Sequence, residues 1–489
     1  MTSEPATLRP TAASTYDRVF DRYLGGLLGG AIADALGWIT EFSRSKQELE
    51  KRGIERLEDY IMWSKPTGGR FHTYYDWVSK GEYSDDTQLT LCTARSLNAD
   101  GTFDTERFVE ELKAWLDYAR GAGAAITAGA RHLRERRTAA WNRNFYGTAG
   151  RGRRRGYSEA GGNGAAMRVA PHALANRRDP TRTYEGAWKN ALITHGHPRA
   201  LVGAVTIAEA VRVVVEVNGG LSPREYAGHL EDFVARISVP DVPEVTDWKA
   251  DWESMTKNSF DGALERTKQE MISMLRLGRD VRIPYRHVLT QLGCFKPATK
   301  GSGTGCVAAA VAAYLRWPRD YKTGVLEIVN AIGIDTDTIA SMYGNLVGVL
   351  VGSTEIPDRW STQMQDYEYF ISVADGLSKI ALRRAKQNDL RVDVSMIRQR
   401  EGADVVELAQ GRTVNKNQRV VHGLLGPGWV QAVHDQEVRS GGQMLLIDVA
   451  LDSGQTVKFK SFRSASEVRR VRASRDEVAQ SGQQPPLFP

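Results

Sequence analysis

The sequence predicts an all-α, multi-helix domain followed by a small β-domain. Two observations carry this. From Tyr16 to Leu382 apolar residues recur at three and four, as in FVEELKAWLDYARGA, ALVGAVTIAEAVRVVVEV and TGCVAAAVAAYLRW, and alanine is frequent. After Lys386 the chain turns to short runs rich in β-formers, RVDVSMIRQ, RVVHGLLGPGWVQAV, QMLLIDVALD and QTVKFKSF, separated by glycine turns such as Leu451-Asp452-Ser453-Gly454.

The elements follow in order. Residues 1–16 are expected to be disordered. Residues 17–385 read as one helical domain of short to medium helices broken by glycine-rich loops, with no run of alternating strands. A domain of that size holds a deep site between helices. The stretch from Leu221 to Tyr285 carries several prolines and charges and reads as a less regular insertion. Residues 386–412 read as a linker, 413–465 as the β-domain, and 466–489 as a basic, flexible tail.

Composition sets the bounds. A chain of 489 residues, 41% hydrophobic and 25% charged, is that of an ordinary globular protein of more than one domain. A net charge of +6 allows a polyanionic partner without arguing for one. Cys92, Cys294 and Cys306 are too widely spaced for a zinc site and lie among apolar or small residues, so they read as buried thiols in a reducing compartment. The N-terminus MTSEPATLRP has no apolar core of a signal peptide, and no apolar run approaches a membrane span. A cytoplasmic protein without membrane contact is expected.

The chemistry concentrates in acidic motifs. In GIDTDTIA, Asp335 and Asp337 precede the small, apolar segment SMYGNLVGVLVG. Asp and Thr cap helices, but one cap needs one residue, and two close carboxylates against a buried helix repel. A divalent cation compensates such a pair, since hard cations take oxygen ligands. The motif alone leaves capping and metal binding open. A second cluster of the same form, Ser84, Asp85 and Asp86, stands before the helix-like TQLTLCTARSL. Facing each other at two helix starts, the clusters suit one or two Mg²⁺ or Mn²⁺ ions. In LGGLLGGAIADALGWITEF, Asp34 and Glu41 are two helical turns apart on one face, and the glycines permit close helix packing. Either acid taken alone reads as a capped or solvated carboxylate.

The set GGAIADALGWITEF, YSDDTQ, GGNGAAMRVAP, THGHP and GIDTDTIASMYGNLVG, in this order, resembles the ADP-ribosylglycohydrolase family over residues 22–365. The resemblance implies an all-α orthogonal multi-helix fold, a site for two Mg²⁺ or Mn²⁺ ions, and cleavage of the bond between ADP-ribose and an acceptor. It assigns metal ligation to Glu41, Ser84, Asp85, Asp86, Asp335, Asp337 and Thr338. Glu41, Asp85 and Asp337 are the catalytic candidates, with Glu41 a possible general base. Ser84 stands where the family has threonine and keeps the hydroxyl; Ala33 stands for a usual glycine. The loop GGNGAAMR resembles the family's segment for the diphosphate and distal ribose, which nominates Gly162, Asn163, Gly164, Ala165 and Met167. Small residues there let backbone N–H groups approach phosphate. Met167 and Arg168 are expected to pack and brace this loop. Gly162 stands where some relatives carry a stacking aromatic, so stacking is sought from Tyr157 or Tyr146. His195 resembles a substrate-contacting histidine, whereas His197 reads as a cap or core residue.

The expected function is metal-dependent release of ADP-ribose from a modified protein side chain or nucleic acid. A non-catalytic ADP-ribose-binding protein and a hydrolase of another N-glycosidic nucleotide derivative are the alternatives. The acidic positions are all filled, which favours the enzyme. RGRRRG, residues 151–156, is read as a solvated loop, with a polyanion clamp as the functional alternative. The C-terminal segment is similar to small SH3- or Tudor-like barrels, which bind nucleic acid or protein partners. Lys458, Lys460, Arg463, Arg469, Arg470, Arg472 and Arg475 make that end basic. A docking module is the plainer reading, and QQPPLF only loosely resembles a peptide that docks on bacterial sliding clamps.

Overall fold

The first long helix, α1 (Thr15–Thr40), begins at a capping box between Ser14 and Asp17 and runs antiparallel against a late helix, α15 (Thr336–Val351). Glycines set their spacing: Gly29 lies against the Gly344 carbonyl, and a Cβ at Gly29 would stand 2.8 Å from that oxygen. Every residue of α1 from Tyr23 to Thr40 is buried, so this pair is the axis of the core. The computed structural model describes residues 14–42, 45–136, 140–147, 156–217, 220–392, 402–411 and 413–471. Residues 1–13, the arginines at 151–155, most of RVDVSMIRQ, Arg472, Arg475 and QQPPLF therefore lie outside the described residues.

Between the axial helices come α2 (Ser45–Lys51), strands β1 (Trp63–Thr67) and β2 (Tyr74–Val78), α3 (Asp85–Arg95), α4 (Thr105–Trp115) and α5 (Ala124–Glu135). Then follow α6 (Ala170–Ala175), α7 (Pro180–Leu192), α8 (Pro198–Val217), α9 (Pro223–Ala235), α10 (Pro243–Thr256) and α11 (Phe260–Arg279). Next are α12 (Tyr285–Gln291), α13 (Gly303–Arg316) and α14 (Tyr321–Val329), and after α15, α16 (Asp358–Ser361) and α17 (Tyr367–Ala381). The fold is mostly helical, with two departures from expectation. Residues 63–78 form an antiparallel hairpin with Trp63 opposite Val78 and Lys65 opposite Asp76. The stretch from Leu221 to Tyr285 is not irregular: Pro223 and Pro243 open α9 and α10, where the missing N–H is unpaired anyway and the fixed φ suits the first turn.

The C-terminal strands form one five-stranded sheet in sequence order, β3 (Ala403–Asp404), β4 (Arg419–His422), β5 (Gly426–Glu437), β6 (Gln443–Leu451) and β7 (Thr456–Arg463). A helix, α18 (Val405–Gly411), follows β3, within the residues read as a linker. β3–β4 is parallel and the other pairs antiparallel. The turn at Leu451–Gly454 joins β6 to β7, and Gly454 takes a φ of 94° that favours glycine. Val430, Ile447, Val449 and Phe459 belong to the same hydrophobic core as the helices.

Polar contacts also tie the sheet to the helical domain. The Gln436 side chain pairs like a short strand with the Tyr75 backbone, donating to its carbonyl at 2.7 Å and accepting from its N–H at 2.8 Å. Arg95, buried in a pair with Glu111, donates to Gln455 Oε1 at 3.1 Å. The expected basic surface is corrected here. Lys460 Nζ donates to the Ala119 carbonyl at 2.9 Å and pairs with Asp76 at 3.3 Å; Lys458 Nζ donates to the Trp77 carbonyl at 2.9 Å. Arg463 is buried and donates to the Ala409 carbonyl at 2.8 Å. Arg469 and Arg470 are exposed. Among the described residues no helix is long and apolar enough to cross a membrane.

Asp76 makes this junction acid-sensitive. Burial alone would raise its carboxyl, but Arg120, Lys460 and Lys458 outweigh burial and hold it well below the ordinary value of 3.8. A carboxylate depressed in the folded state contributes stability above its unfolded pKa, and that stability is lost as the pH falls toward the folded one. The urea midpoint is therefore expected to fall as the pH drops below about 4. Asp76→Asn, less stable at pH 7, should show a shallower fall; an equally steep one would assign the acid sensitivity elsewhere.

Candidate active site

The helix starts of α3 and α15 and the C-terminal end of α1 converge. Ser84 caps α3, accepting from the Asp86 N–H at 3.3 Å, so Asp85 and Asp86 occupy the first helical turn. Asp335 holds the N-cap position of α15, yet its side chain makes no capping bond, which removes capping as its role. It accepts instead from Asn163 Nδ2 at 3.0 Å. Glu41 ends α1, and Lys300 Nζ donates to its backbone carbonyl at 2.7 Å.

Two groups of carboxylates result, each with ligand-capable oxygens within 4.8 Å of one another: Asp34, Asp86 and Asp337, and Glu41, Asp335 and Asp337. Asp337 belongs to both. Thr338 joins the halves, its hydroxyl donating to Asp86 Oδ2 at 3.3 Å. Asp85 stands outside both groups, buried with Oδ1 beside Gly121. Asp34 is fully buried and holds the start of α3. Its Oδ2 accepts from the N–H of Ser84 and of Thr87, both at 3.1 Å, and from the Thr87 hydroxyl at 2.6 Å.

The electrostatics demand compensation. Burial first, then Asp34 and Asp85, pushes the Asp86 carboxyl well above its ordinary value; burial, Glu41 and Asp335 do the same to Asp337. Burial and Asp34 push Asp85 up to about 7, and burial and Asp335 push Glu41 up to about 8. Asp86 Oδ1 is buried with no hydrogen-bond partner. An all-oxygen donor set with an orphaned carboxylate oxygen fits a hard divalent cation.

Packing fixes this geometry. Gly37 of α1 faces the start of α15, and a Cβ there would stand 2.5 Å from Asp337 Cα and 2.6 Å from its nitrogen. Thr336 Oγ1 donates to the Gly37 carbonyl at 2.8 Å. Gly37→Ala is therefore expected to part the helices at Asp337, costing about 1–3 kcal/mol and weakening the binding of a divalent cation, Mg²⁺ serving as the probe. Thermal denaturation and a Mg²⁺ titration measure both; an unchanged titration would show that this contact does not position Asp337.

The glycine-rich loop is a short 3-10 helix, Asn163–Arg168, with Gly162 at its cap. Asn163 N–H donates to the Gly301 carbonyl at 2.9 Å, and Gly303 N–H to the Gly161 carbonyl at 3.0 Å, stitching the loop to the segment before α13. Gly164 packs on Ile126, where a Cβ would stand 2.5 Å from Cδ1. Ala165 is buried, and the Met167 carbonyl accepts from the Thr90 hydroxyl at 3.3 Å. Arg168 is buried, bonded to Asn190 at 2.7 Å and Thr194 at 2.8 Å, and braces the loop. His195 is buried beside Gly164, its Nδ1 2.8 Å from Thr194 Oγ1, and burial and Arg168 push its imidazole down to about 3. Stacking by Tyr146 or Tyr157 is corrected: both rings are buried, their hydroxyls donating to the Thr194 and Leu192 carbonyls at 2.8 and 2.5 Å. Sequence reasoning named neither Asn163 as a partner of Asp335 nor Thr87 as the brace of Asp34, because both contacts are long-range. The Asp34–Glu41 spacing was the one local signal that Asp34 faces the acids.

Carboxylates converging from two helix starts and the end of α1 form a site able to hold a divalent cation within a helical fold. The chain belongs to the ADP-ribosylglycohydrolase family, whose model matches residues 15–389. It is 33% identical over 217 residues to the ADP-ribosyl-(dinitrogen reductase) glycohydrolase of Rhodospirillum rubrum, a match spanning 43% of this chain and 64% of that relative. It is 26% identical over 380 residues to the ADP-ribosylhydrolase ARH3 of Mus musculus, spanning 74% of this chain and 92% of that protein. A solved ADP-ribosylglycohydrolase-related protein complex matches at a TM-score of 0.44 and 24% identity, covering 74% of this chain and 99% of that one. The sheet beyond residue 402 lies outside the family match.

Proposed function

We propose that this chain hydrolyses the glycosidic bond joining ADP-ribose to a modified macromolecule, using two divalent cations, Mg²⁺ or Mn²⁺. The observation that carries the reading is the pair of carboxylate groups sharing Asp337. Asp86 and Asp337, with the hydroxyls of Ser84 and Thr338, would hold one ion; Glu41, Asp335 and Asp337 would hold the other. Asp85 would ligate from the far side of the cluster. When bound, the ions supply Lewis-acid polarisation and a template for substrate and water.

The residues themselves do the rest. Glu41, partly exposed at the end of α1, would be placed to take the proton of the attacking water. As the bond to the acceptor lengthens, the anomeric carbon becomes oxocarbenium-like, and the surrounding carboxylates stabilise that charge. The loop from Gly162 to Met167, tied to Asp335 through Asn163, would hold the diphosphate and distal ribose, with His195 behind it. A relative named for ADP-ribosylated dinitrogen reductase supports a modified protein as substrate, with nucleic acid as the second class. We read the C-terminal sheet as a small SH3- or Tudor-like module serving that macromolecular acceptor.

The test is ADP-ribose release from arginine-, serine- and nucleic-acid-linked substrates with Mg²⁺ and with chelator. Metal-dependent release from any of them is expected. ADP-ribose binding without release would make the chain a binding protein and overturn the proposal.

A further inference from the structure

We infer that the cleft on the Asp85 side of the acidic cluster is a subsite for a single-stranded nucleic-acid acceptor, built jointly by the β1–β2 hairpin and the C-terminal sheet. The inference rests on the hydrolase reading above only for its biological meaning; the surface itself stands on geometry. The cavity measures about 950 Å³, and Ile39, Phe42 and Gly121 line it. Phe42 follows Glu41 in the chain and Gly121 lies against Asp85 Oδ1, so the cleft neighbours the clustered acids, none of which lines it. The glycine-rich loop approaches the cluster at Asp335 instead, through Asn163. A substrate held by that loop would direct its leaving group toward the other side.

The lining has a definite chemistry. Arg52, Lys65 and Arg131 enter it, with Lys460, whose charge is already paired with Asp76 at 3.3 Å, against one lining carboxylate, Glu48, which is paired with Lys51 at 2.9 Å. Lys65 lies over the rings of Trp38 and Phe42, 4.7 and 5.2 Å from their centres. Arg131 is exposed on α5. Such a lining opposes a cationic acceptor, such as an arginine-bearing peptide, and favours phosphates.

Aromatic rings continue outward from the mouth. Tyr75, which lines the cleft, is 54% exposed, and Trp77, two residues on and on the same strand face, is 56% exposed. Phe71 at the hairpin turn and Phe462 of β7 are also exposed, and His72 joins the two elements, 4.8 Å edge-on from Phe462. Of the eight large hydrophobic residues exposed among the described ones, Met62, Phe71, Tyr75 and Trp77 lie in or just before the hairpin, and Phe462 lies on β7. Planar rings with flanking cations are how proteins hold unpaired bases and their phosphates without sequence preference. The family match ends at residue 389, so Lys460 enters the cleft from outside the matched region.

The test is fluorescence anisotropy of a fluorescein-labelled 15-nucleotide single strand with the full chain, titrated across NaCl concentration. Binding that weakens with salt is expected. Tyr75→Ala and Trp77→Ala should each weaken it about tenfold. Arg131→Ala should weaken it and lower the slope of log affinity against log salt by about 0.7. Absent binding, binding unchanged in all three variants, or tighter binding of a labelled Asp/Glu-rich peptide would overturn the inference, the last in favour of an acidic protein. Release of ADP-ribose from a protein-linked substrate is measured in parallel. Release without oligonucleotide binding would sink this subsite alone; oligonucleotide binding without release from any substrate would sink the hydrolase reading and leave the surface standing.

Discussion

Asp337→Ala is expected to abolish ADP-ribose release and, at the same time, to raise the melting temperature of the metal-free protein. Both effects follow from its position in both carboxylate groups. On the proposed reading Asp337 would be a ligand common to two ions, and its loss would remove polarisation and water positioning together. At several kcal/mol of transition-state stabilisation this is a loss of about 10³-fold or more. Without metal, Asp337 is a buried acid pushed up by burial, Glu41, Asp335 and Asp86, so removing it relieves repulsion. With metal the order reverses. The wild type gains about 2.7 kcal/mol at a hundredfold excess over Kd, and the variant forgoes it. Turnover and thermal melts with Mg²⁺ and with chelator check all three; near-full turnover with metal would show that the acids do not form the reacting centre.

Arg120→Met carries the largest expected cost in stability, about 3–5 kcal/mol. Its buried guanidinium pairs with Asp76 at 3.1 Å and Glu82 at 2.6 Å, and donates to the Trp77 carbonyl at 3.1 Å. It also lies over the Trp38 ring, 5.1 Å from its centre. Removing it leaves two carboxylates to the lysines of β7 alone. Gly121, the next residue, touches Asp85, so activity should fall with stability. Adding Asp76→Leu to the variant should restore part of the loss, because the stranded charge causes most of it. Urea denaturation of the single and double variants measures this. A cost below about 1 kcal/mol would place the pair among weakly coupled surface bridges.

The acidic centre was legible because each half is a short motif at a helix start, where capping and charge leave a local trace. Its mutual arrangement was not: Asn163 on Asp335 and Lys300 on the Glu41 carbonyl join residues far apart in the chain. The hairpin escaped notice because β1 is five residues containing Pro66, and YYDWV is aromatic on both faces, which masks its alternation. Pro223 and Pro243 read as breakers although they begin helices. Lys458 and Lys460 illustrate the limit of period-two reasoning. In β7 the buried face is Val457, Phe459 and Ser461, so the lysines fall on what alternation assigns to solvent. The hairpin covers that face, and no pattern within β7 announces it.

The contact between Lys460 and Asp76 spans 384 positions of chain. During synthesis at about 5–20 residues per second, the hairpin leaves the ribosome roughly 20–80 s before its last ionic partner is made. Through that interval the nascent helical domain presents Asp76, Glu82 and the aromatic strand without their cover. A chain lacking β7 would leave Asp76 without Lys460 and the Trp77 carbonyl without Lys458.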